Sequence, residues 1–152
     1  MSILPEHCTL QELKIDFRIA LETTFAYRTK SETGIPRLNV TDFLRKQEFL
    51  SILEVTDSPV ITVFAAKWCG YCLRFIDLAK SVDFGKDRKL YLVDADSDDG
   101  SLWDEYNVAI VPTIAVFQRG QIVFRQDGRS MVGLVKGDLE RAINAAEAAD
   151  KL

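Results

Sequence analysis

The run from Pro59 to Ala66, PVITVFAA, constrains the fold of this chain more than any other stretch of its sequence. The run is continuously apolar and rich in β-formers, and Thr62 is its single polar residue. A strand with one solvent-exposed face alternates polar and apolar residues, whereas a strand covered on both faces does not. The run therefore predicts a central strand in a sheet that carries helices on its faces.

The segments that follow extend this α/β pattern. An apolar face formed by Cys72, Phe75, Ile76 and Ala79 predicts a helix from about Tyr71. Further predicted elements are a strand in KLYLVDAD, a short helix in SLWDEYNV, a hairpin in TIAVFQRGQIVFRQDG turning at Arg119-Gly120, and a terminal helix in KGDLERAINAAEAA. From residue 60 the order is β-α-β-α-β-β-α, which predicts a central mixed β-sheet flanked by helices.

The first part of the chain is predicted to be an extra helix outside this sheet. Thr9 and Glu12 form a capping-box pattern ahead of apolar residues that recur at helical spacing to about Thr29. We therefore divide the chain into an N-terminal helical extension and connector, 1–37, and a main domain, 38–152. The apolar stripe of the helix must pack somewhere; packing within the chain is favoured, and self-association through the helix is the alternative.

The main domain is expected to open with an edge strand at residues 38–43 and a short helix at 48–54. These two segments carry weaker patterns than the run at 59–66. Their boundaries are therefore predicted only to within several residues.

Composition excludes several classes of protein. The formal net charge is −4, and 47% of the 152 residues are hydrophobic, as in an ordinary globular protein. This charge gives no general attraction to nucleic acid or to an anionic membrane surface. No stretch approaches the roughly 20 apolar residues of a membrane span, and the N-terminus lacks the pattern of a signal peptide, so we expect a cytoplasmic protein.

Two of the three cysteines, Cys69 and Cys72, lie two residues apart in KWCGYCLRF. As a disulfide staple the pair is weak, because closing so short a loop contributes only about 2 kcal/mol. As a zinc site it lacks ligands, because structural zinc takes four and the remaining candidates, His7 and Cys8, are adjacent and distant in sequence. We expect no metal at this pair.

A redox role has positive support. Cys69 is predicted at the N-terminus of a helix, where unpaired N–H groups and the helix dipole favour a thiolate by about 0.3 to 2 kcal/mol. Cys72 lies one turn further, on the face that carries Phe75 and Ile76. This placement predicts an exposed nucleophilic Cys69 and a more buried, resolving Cys72.

The ordered set of an apolar strand, Trp68-Cys69-Gly70-Tyr71-Cys72, a helix, Val111-Pro112-Thr113 and a hairpin with Gly120 and Gly128 resembles the thioredoxin superfamily over about residues 38–149. The resemblance implies a thioredoxin fold, with a cis Pro112 lying against the cysteine pair. It also implies that the backbone of Val111 binds an extended substrate strand. The residues expected to contact substrate are Trp68, Gly70, Tyr71, Val111, Pro112 and Gly128.

The chain departs from the family pattern near the thiols. Where general reductases of the family usually carry a buried aspartate, this chain has Val63, and Leu92 stands approximately where a lysine is often found. Losing a buried carboxylate and adding positive charge at Lys67, Arg74 and Arg129 would favour the Cys69 thiolate. A stabilised reduced form makes the couple more oxidising, which favours isomerase or oxidase behaviour.

The resemblance implies a thiol-disulfide oxidoreductase that reduces or exchanges protein disulfides through Cys69 and Cys72, without a cofactor. Its expected partners are disulfide-containing proteins and an electron-donating reductase or small thiol. Two alternatives remain open: a glutaredoxin-like enzyme acting on glutathione mixed disulfides, and a redox-inactive binding module with the same fold.

Overall fold

The structure is a computed structural model, and it describes residues 40–85 and 87–152. The predicted N-terminal helix, its connector, and His7 and Cys8 lie outside the described residues. The same holds for the predicted domain boundary at residue 38.

The described chain has five strands and four helices, in the order that the sequence pattern predicts. The strands are β1 (Val40–Leu44), β2 (Val60–Ala65), β3 (Leu90–Asp94), β4 (Thr113–Gln118) and β5 (Gln121–Asp127). The helices are α1 (Lys46–Val55), α2 (Gly70–Lys80), α3 (Leu102–Glu105) and α4 (Lys136–Ala149).

The strands form one mixed sheet in the order β1-β3-β2-β4-β5. Strands β1, β3 and β2 are parallel, whereas β4 is antiparallel to both β2 and β5. Strand β2 lies at the centre, and all six of its residues are buried. The predicted central strand and mixed sheet are therefore confirmed. The predicted hairpin turn is found at Arg119 and Gly120, which both adopt positive φ angles as tight hairpin turns require.

Both faces of the central strand are covered. The ring of Phe64 contacts Phe49 of α1, with ring centroids 5.8 Å apart, and Tyr106 and Phe117 complete this aromatic cluster. Val63 points to the opposite face, because successive strand residues alternate. The helices α2 and α4 pack against each other and bury Phe75, Ile76, Leu139 and Ala142.

The sheet positions the cysteine pair at one edge. Strands β2 and β3 are parallel, so their carboxyl ends meet, and Ala65 lies opposite Asp94. The chain leaves β2 at Ala65 and enters α2 five residues later, at Gly70. The start of α2 therefore lies beside the loop that follows β3. None of the helices in the described part of the chain is long and apolar enough to cross a membrane.

Candidate active site

Cys69 is the N-cap residue of α2. Its backbone is extended, and its Sγ accepts a hydrogen bond from the N–H of Cys72 at 3.3 Å. An N–H donor and a helix N-terminus both favour negative charge on that sulfur. The sequence predicts an exposed thiol here, but only 6% of Cys69 is exposed, since its thiol lies 3.7 Å from the carbonyl oxygen of Val111. In contrast to Cys69, the neighbouring residues Trp68, Gly70 and Tyr71 are exposed to solvent.

Cys72 lies one turn into α2 and is fully buried, as the helical face predicts. Burial raises the pKa of its thiol from about 9.0 to about 12, and a hydrogen bond with Cys69 contributes in the same direction. Both cysteines are free thiols. The pair thus combines one sulfur at a helix start with a second sulfur held in the neutral form.

The segment Val111–Pro112 lies against the pair. The peptide bond between these residues is cis, and the carbonyl oxygen of Val111 faces Cys69 Sγ. The N–H of Gly128 donates to the carbonyl oxygen of Pro112 at 3.0 Å. A Cβ at Gly128 would lie 2.5 Å from that oxygen, so only glycine allows this approach. The structure therefore brings Cys69, Val111, Pro112 and Gly128 together.

Trp68 stands on one side of the pair with 71% of its surface exposed. Its indole N–H donates to Asp96 Oδ2 at 2.6 Å, and the indole N–H of Trp103 donates to Asp96 Oδ1 at 3.0 Å. One exposed carboxylate thus joins the two tryptophans of the chain. Sequence reasoning missed this contact, because Asp96 lies in an acidic stretch typical of a solvated loop.

Tyr71 stands on the other side, next to a closed turn at residues 129–133. We call this segment the Met131 turn. Arg129 and Gly133 bond to each other in both directions, at 3.0 and 2.7 Å, and a Cβ at Gly133 would lie 3.1 Å from Tyr71 Cβ. Arg74 stacks on the Tyr71 ring and donates to the carbonyl oxygen of Val132 at 2.7 Å. The turn is therefore joined to α2 beside the cysteines.

A buried carboxylate, Asp138, binds the first residue of the Met131 turn and anchors it. Asp138 in the first turn of α4 is fully buried and accepts hydrogen bonds from Arg129 at 2.6 Å, from Arg141 and from the N–H of Val135. The charged pairs compensate the burial of this carboxylate. Sequence reasoning missed Asp138, whose only signal was its place in the first turn of the predicted terminal helix.

The charges near the thiols differ from the sequence expectation. Val63 and Leu92 are buried and lie opposite each other in the β2–β3 register. However, Lys67 binds Asp94 at 2.9 Å and Arg129 binds Asp138, so neither adds unpaired positive charge. Of the three expected cations, Arg74 forms no salt bridge within the described residues.

A Cβ at Gly70 would meet no atom within 4 Å, so space beside Cys69 is open. Within residues 40–85 and 87–152, no three His, Cys, Asp or Glu side chains are arranged to hold a metal ion.

The comparisons with known proteins agree with this geometry. The family model described as Thioredoxin matches residues 40–144. The chain is 27% identical over 107 residues to a chloroplastic thioredoxin Y of Oryza sativa subsp. japonica, a match that covers 68% of this chain and 64% of the rice protein. It is 33% identical over 84 residues to thioredoxin of Rickettsia typhi, covering 55% of this chain and 76% of that protein.

Solved structures show the same fold. Thioredoxin NaTrxh from Nicotiana alata superimposes with a TM-score of 0.59 at 22% identity, covering 75% of this chain and 96% of that one. Thioredoxin of Schistosoma mansoni gives a TM-score of 0.57 at 24% identity, covering 69% and 93% of the two chains. The family match spans more than half of the sequence and includes the cysteine pair, Val111–Pro112 and Gly128. The chain therefore belongs to the thioredoxin family.

Proposed function

We propose that this protein is a thiol-disulfide oxidoreductase that reduces or exchanges disulfides in protein substrates. The observation that carries the proposal is the contrast between two sulfurs one helical turn apart. Cys69 Sγ caps a helix next to the Val111 carbonyl, whereas Cys72 is buried with a pKa raised to about 12. This contrast supports a mechanism in which Cys69 attacks and Cys72 resolves.

In the first step the Cys69 thiolate attacks one sulfur of a substrate disulfide. A bond forms between Cys69 Sγ and that sulfur, the substrate S–S bond breaks, and the other substrate sulfur leaves as a thiolate that takes up a proton. An extended substrate segment beside Val111 would place its disulfide close to Cys69, because Val111 faces that sulfur. The space beside Gly70 leaves room for this approach.

In the second step Cys72 attacks Cys69 Sγ. The 69–72 disulfide forms, the bond between Cys69 Sγ and the substrate sulfur breaks, and that sulfur leaves as a thiolate that takes up a proton. The substrate now carries two thiols, so two electrons have moved from the pair to the substrate. Cys72 must first lose its proton, which its raised pKa opposes. Bonding of Cys69 to the substrate removes one cause of that raised pKa, the hydrogen bond between the two cysteines, whereas burial remains. A reductase or small thiol would return the electrons to the pair.

Trapping of the intermediate tests this assignment. Cys72→Ser should accumulate a mixed disulfide with a protein substrate, visible as bands that dithiothreitol removes. Cys69→Ser is the matched control, and it should trap nothing and fail to reduce insulin. The opposite pattern would exchange the two roles, and full activity of both variants would refute the chemistry.

The absence of a carboxylate at position 63 should affect the reduction potential of the 69–72 couple. Val63 is buried on β2, and the resemblance assigns it to the position of a carboxylate near the thiols, so Val63→Asp should disfavour the thiolate and make the couple more reducing. Val63→Asn is the neutral control for the cost of burying a polar group. Titration of the 69–72 couple against glutathione would measure the reduction potential of each variant relative to wild type. Equal potentials for the Asp and Asn variants would contradict the electrostatic argument.

The same assays separate the two alternatives. A glutaredoxin-like enzyme would act on a glutathionylated peptide and need Cys69 alone, so Cys72→Ser would remain active on it. A redox-inactive module would leave both thiols unreactive towards every disulfide. We propose the protein-disulfide reaction over both, because the exposed apolar side chains around the pair offer a surface for a polypeptide.

A further inference from the structure

The Met131 turn presents apolar side chains to solvent beside the reactive pair. Met131 is 82% exposed and Val132 is 43% exposed, next to Tyr71 on α2. Large apolar groups gathered at one place on a surface indicate a contact region. The turn is continuous with the pair through Gly128, which bonds to Pro112, and through Gly133, which packs on Tyr71.

The backbone of the turn is held in a shape that projects Met131 outward. Met131 has a φ angle of 63°, in the left-handed region that a side chain other than glycine occupies at a cost of about 1 to 3 kcal/mol. Such a conformation persists only where its surroundings enforce it. Here the two Arg129–Gly133 bonds, the Arg74 bond to Val132 and the Asp138 anchor enforce it.

We propose that the Met131 turn selects substrates: Met131 contacts an apolar side chain of the substrate segment, close to the cysteine that Cys69 attacks. The occupant is an extended polypeptide, because the turn adjoins Val111 and Pro112, which would hold such a segment, and this inference rests on the proposed function. A methionine side chain is flexible and polarizable, so it suits apolar partners of varied shape.

Peptide disulfides that differ in one residue test the proposal. Each peptide carries either leucine or serine at one position, and the positions varied are the two before and the two after the reacting cysteine. Wild type should prefer leucine in kcat/KM by about tenfold at one or more positions, equivalent to about 1.4 kcal/mol. Bis(2-hydroxyethyl) disulfide, which is too small to reach the turn, is reduced in parallel.

Two variants of Met131 isolate its side chain. Met131→Gly keeps the turn, because glycine adopts positive φ freely, and should abolish the leucine preference. Met131→Leu keeps an apolar contact and should retain the preference. Val123→Ser, at an exposed apolar residue in the middle of β5, is the matched control and should behave as wild type.

The outcomes separate the inference from the proposed function. An unchanged leucine preference in Met131→Gly, with normal reduction of the small disulfide, would overturn the inference alone. Absence of any preference in wild type would overturn it too. Failure of wild type to reduce both the peptides and the small disulfide would instead refute the proposed function. Loss of preference in Met131→Gly with the small-disulfide rate intact would support both.

Discussion

The two sides of the cysteine pair are built in different ways. On one side, Trp68 is held by a side-chain hydrogen bond to Asp96, an exposed carboxylate that also binds Trp103. On the other side, the Met131 turn is held by backbone bonds and by Asp138, which is fully buried. Each side carries a largely exposed apolar side chain, Trp68 at 71% and Met131 at 82%.

High exposure on both sides of the pair does not imply equal mobility. A hydrogen bond to an exposed carboxylate competes with water and adds little stability, so Trp68 is free to adjust when a substrate binds. The Met131 turn is closed by two backbone bonds and joined to a buried carboxylate, so moving it would break several bonds at once. We therefore expect one adaptable side and one preformed side.

The largest effect near neutral pH is expected at the anchor of the preformed side. Asp138→Ala should lower the free energy of unfolding by about 2 to 3 kcal/mol, because charge-assisted bonds to two arginines and a helix-capping bond are lost. Asp127→Ala is the control, since that aspartate is exposed and paired with Arg125, and should cost less than about 1 kcal/mol. Urea unfolding measures both. Equal losses would remove the distinction between buried and exposed anchors.

A slightly smaller effect is expected where the preformed side begins. Gly128→Ala should cost about 1 to 3 kcal/mol, because the added Cβ would meet the Pro112 carbonyl oxygen at 2.5 Å and force the backbone apart. Gly70→Ala, at the open start of α2, should change stability by no more than about 0.5 kcal/mol. Thermal unfolding compares the two variants. A tolerated alanine at 128 would mean that the turn can shift away from Pro112.

Between the two sides lies the buried Cys72, and its thiol should make the free energy of unfolding depend on pH in the alkaline range. The pKa of Cys72 is raised in the folded protein, from about 9.0 to about 12, so the folded state keeps a proton that the unfolded state has lost. The stabilisation is complete below pH 9 and is lost as pH rises towards 12, by about 1.4 kcal/mol per pH unit.

Urea unfolding of the reduced protein between pH 8 and about 10.5 checks this slope. Cys72→Ala removes the thiol but keeps every other titrating group, so its own pH dependence is subtracted. Wild type should lose stability relative to Cys72→Ala as pH rises above about 9, because only wild type carries the thiol with the raised pKa. Parallel pH profiles would show that burial does not perturb this thiol.

The smallest effect is expected on the adaptable side. Asp96→Ala should cost less than about 1 kcal/mol, since its bonds are exposed. In a Trp103→Phe background, Trp68 is the only tryptophan of the chain, and its fluorescence anisotropy should fall when Asp96 is replaced. Asp42→Ala, at an exposed residue of β1, is the control. Unchanged anisotropy would mean that Asp96 does not restrain Trp68.

Local patterns predicted most of the described fold. The apolar run at 59–66 became the central strand β2, and the buried face of α2 consists of the four residues that helical spacing selects. Helix α4 spans the predicted KGDLERAINAAEAA, Lys136–Ala149. These elements were predictable because periodicity and turn residues act over a few positions of the chain.

The arrangement around the sulfurs was less predictable, because it depends on pairs that are distant in sequence. Trp68 and Asp96 are separated by 28 positions, and Arg74 and Val132 by 58. Lys67 and Arg129 looked like unpaired cations in the sequence, but the strand and helix packing brings a carboxylate to each. Cys69 looked exposed, but the Val111 carbonyl lies against it.

The positions of the strands and helices, and of two thiols one turn apart at a helix start, are encoded locally in the amino-acid sequence. Those features follow from residue spacing and local backbone preference. Three properties depend on the tertiary structure: which carboxylates neutralise which cations, how deeply each sulfur is buried, and which bonds hold the two sides of the pair. Those properties follow from sheet register and from which loops meet at the edge of the sheet, where small changes in position decide the electrostatics.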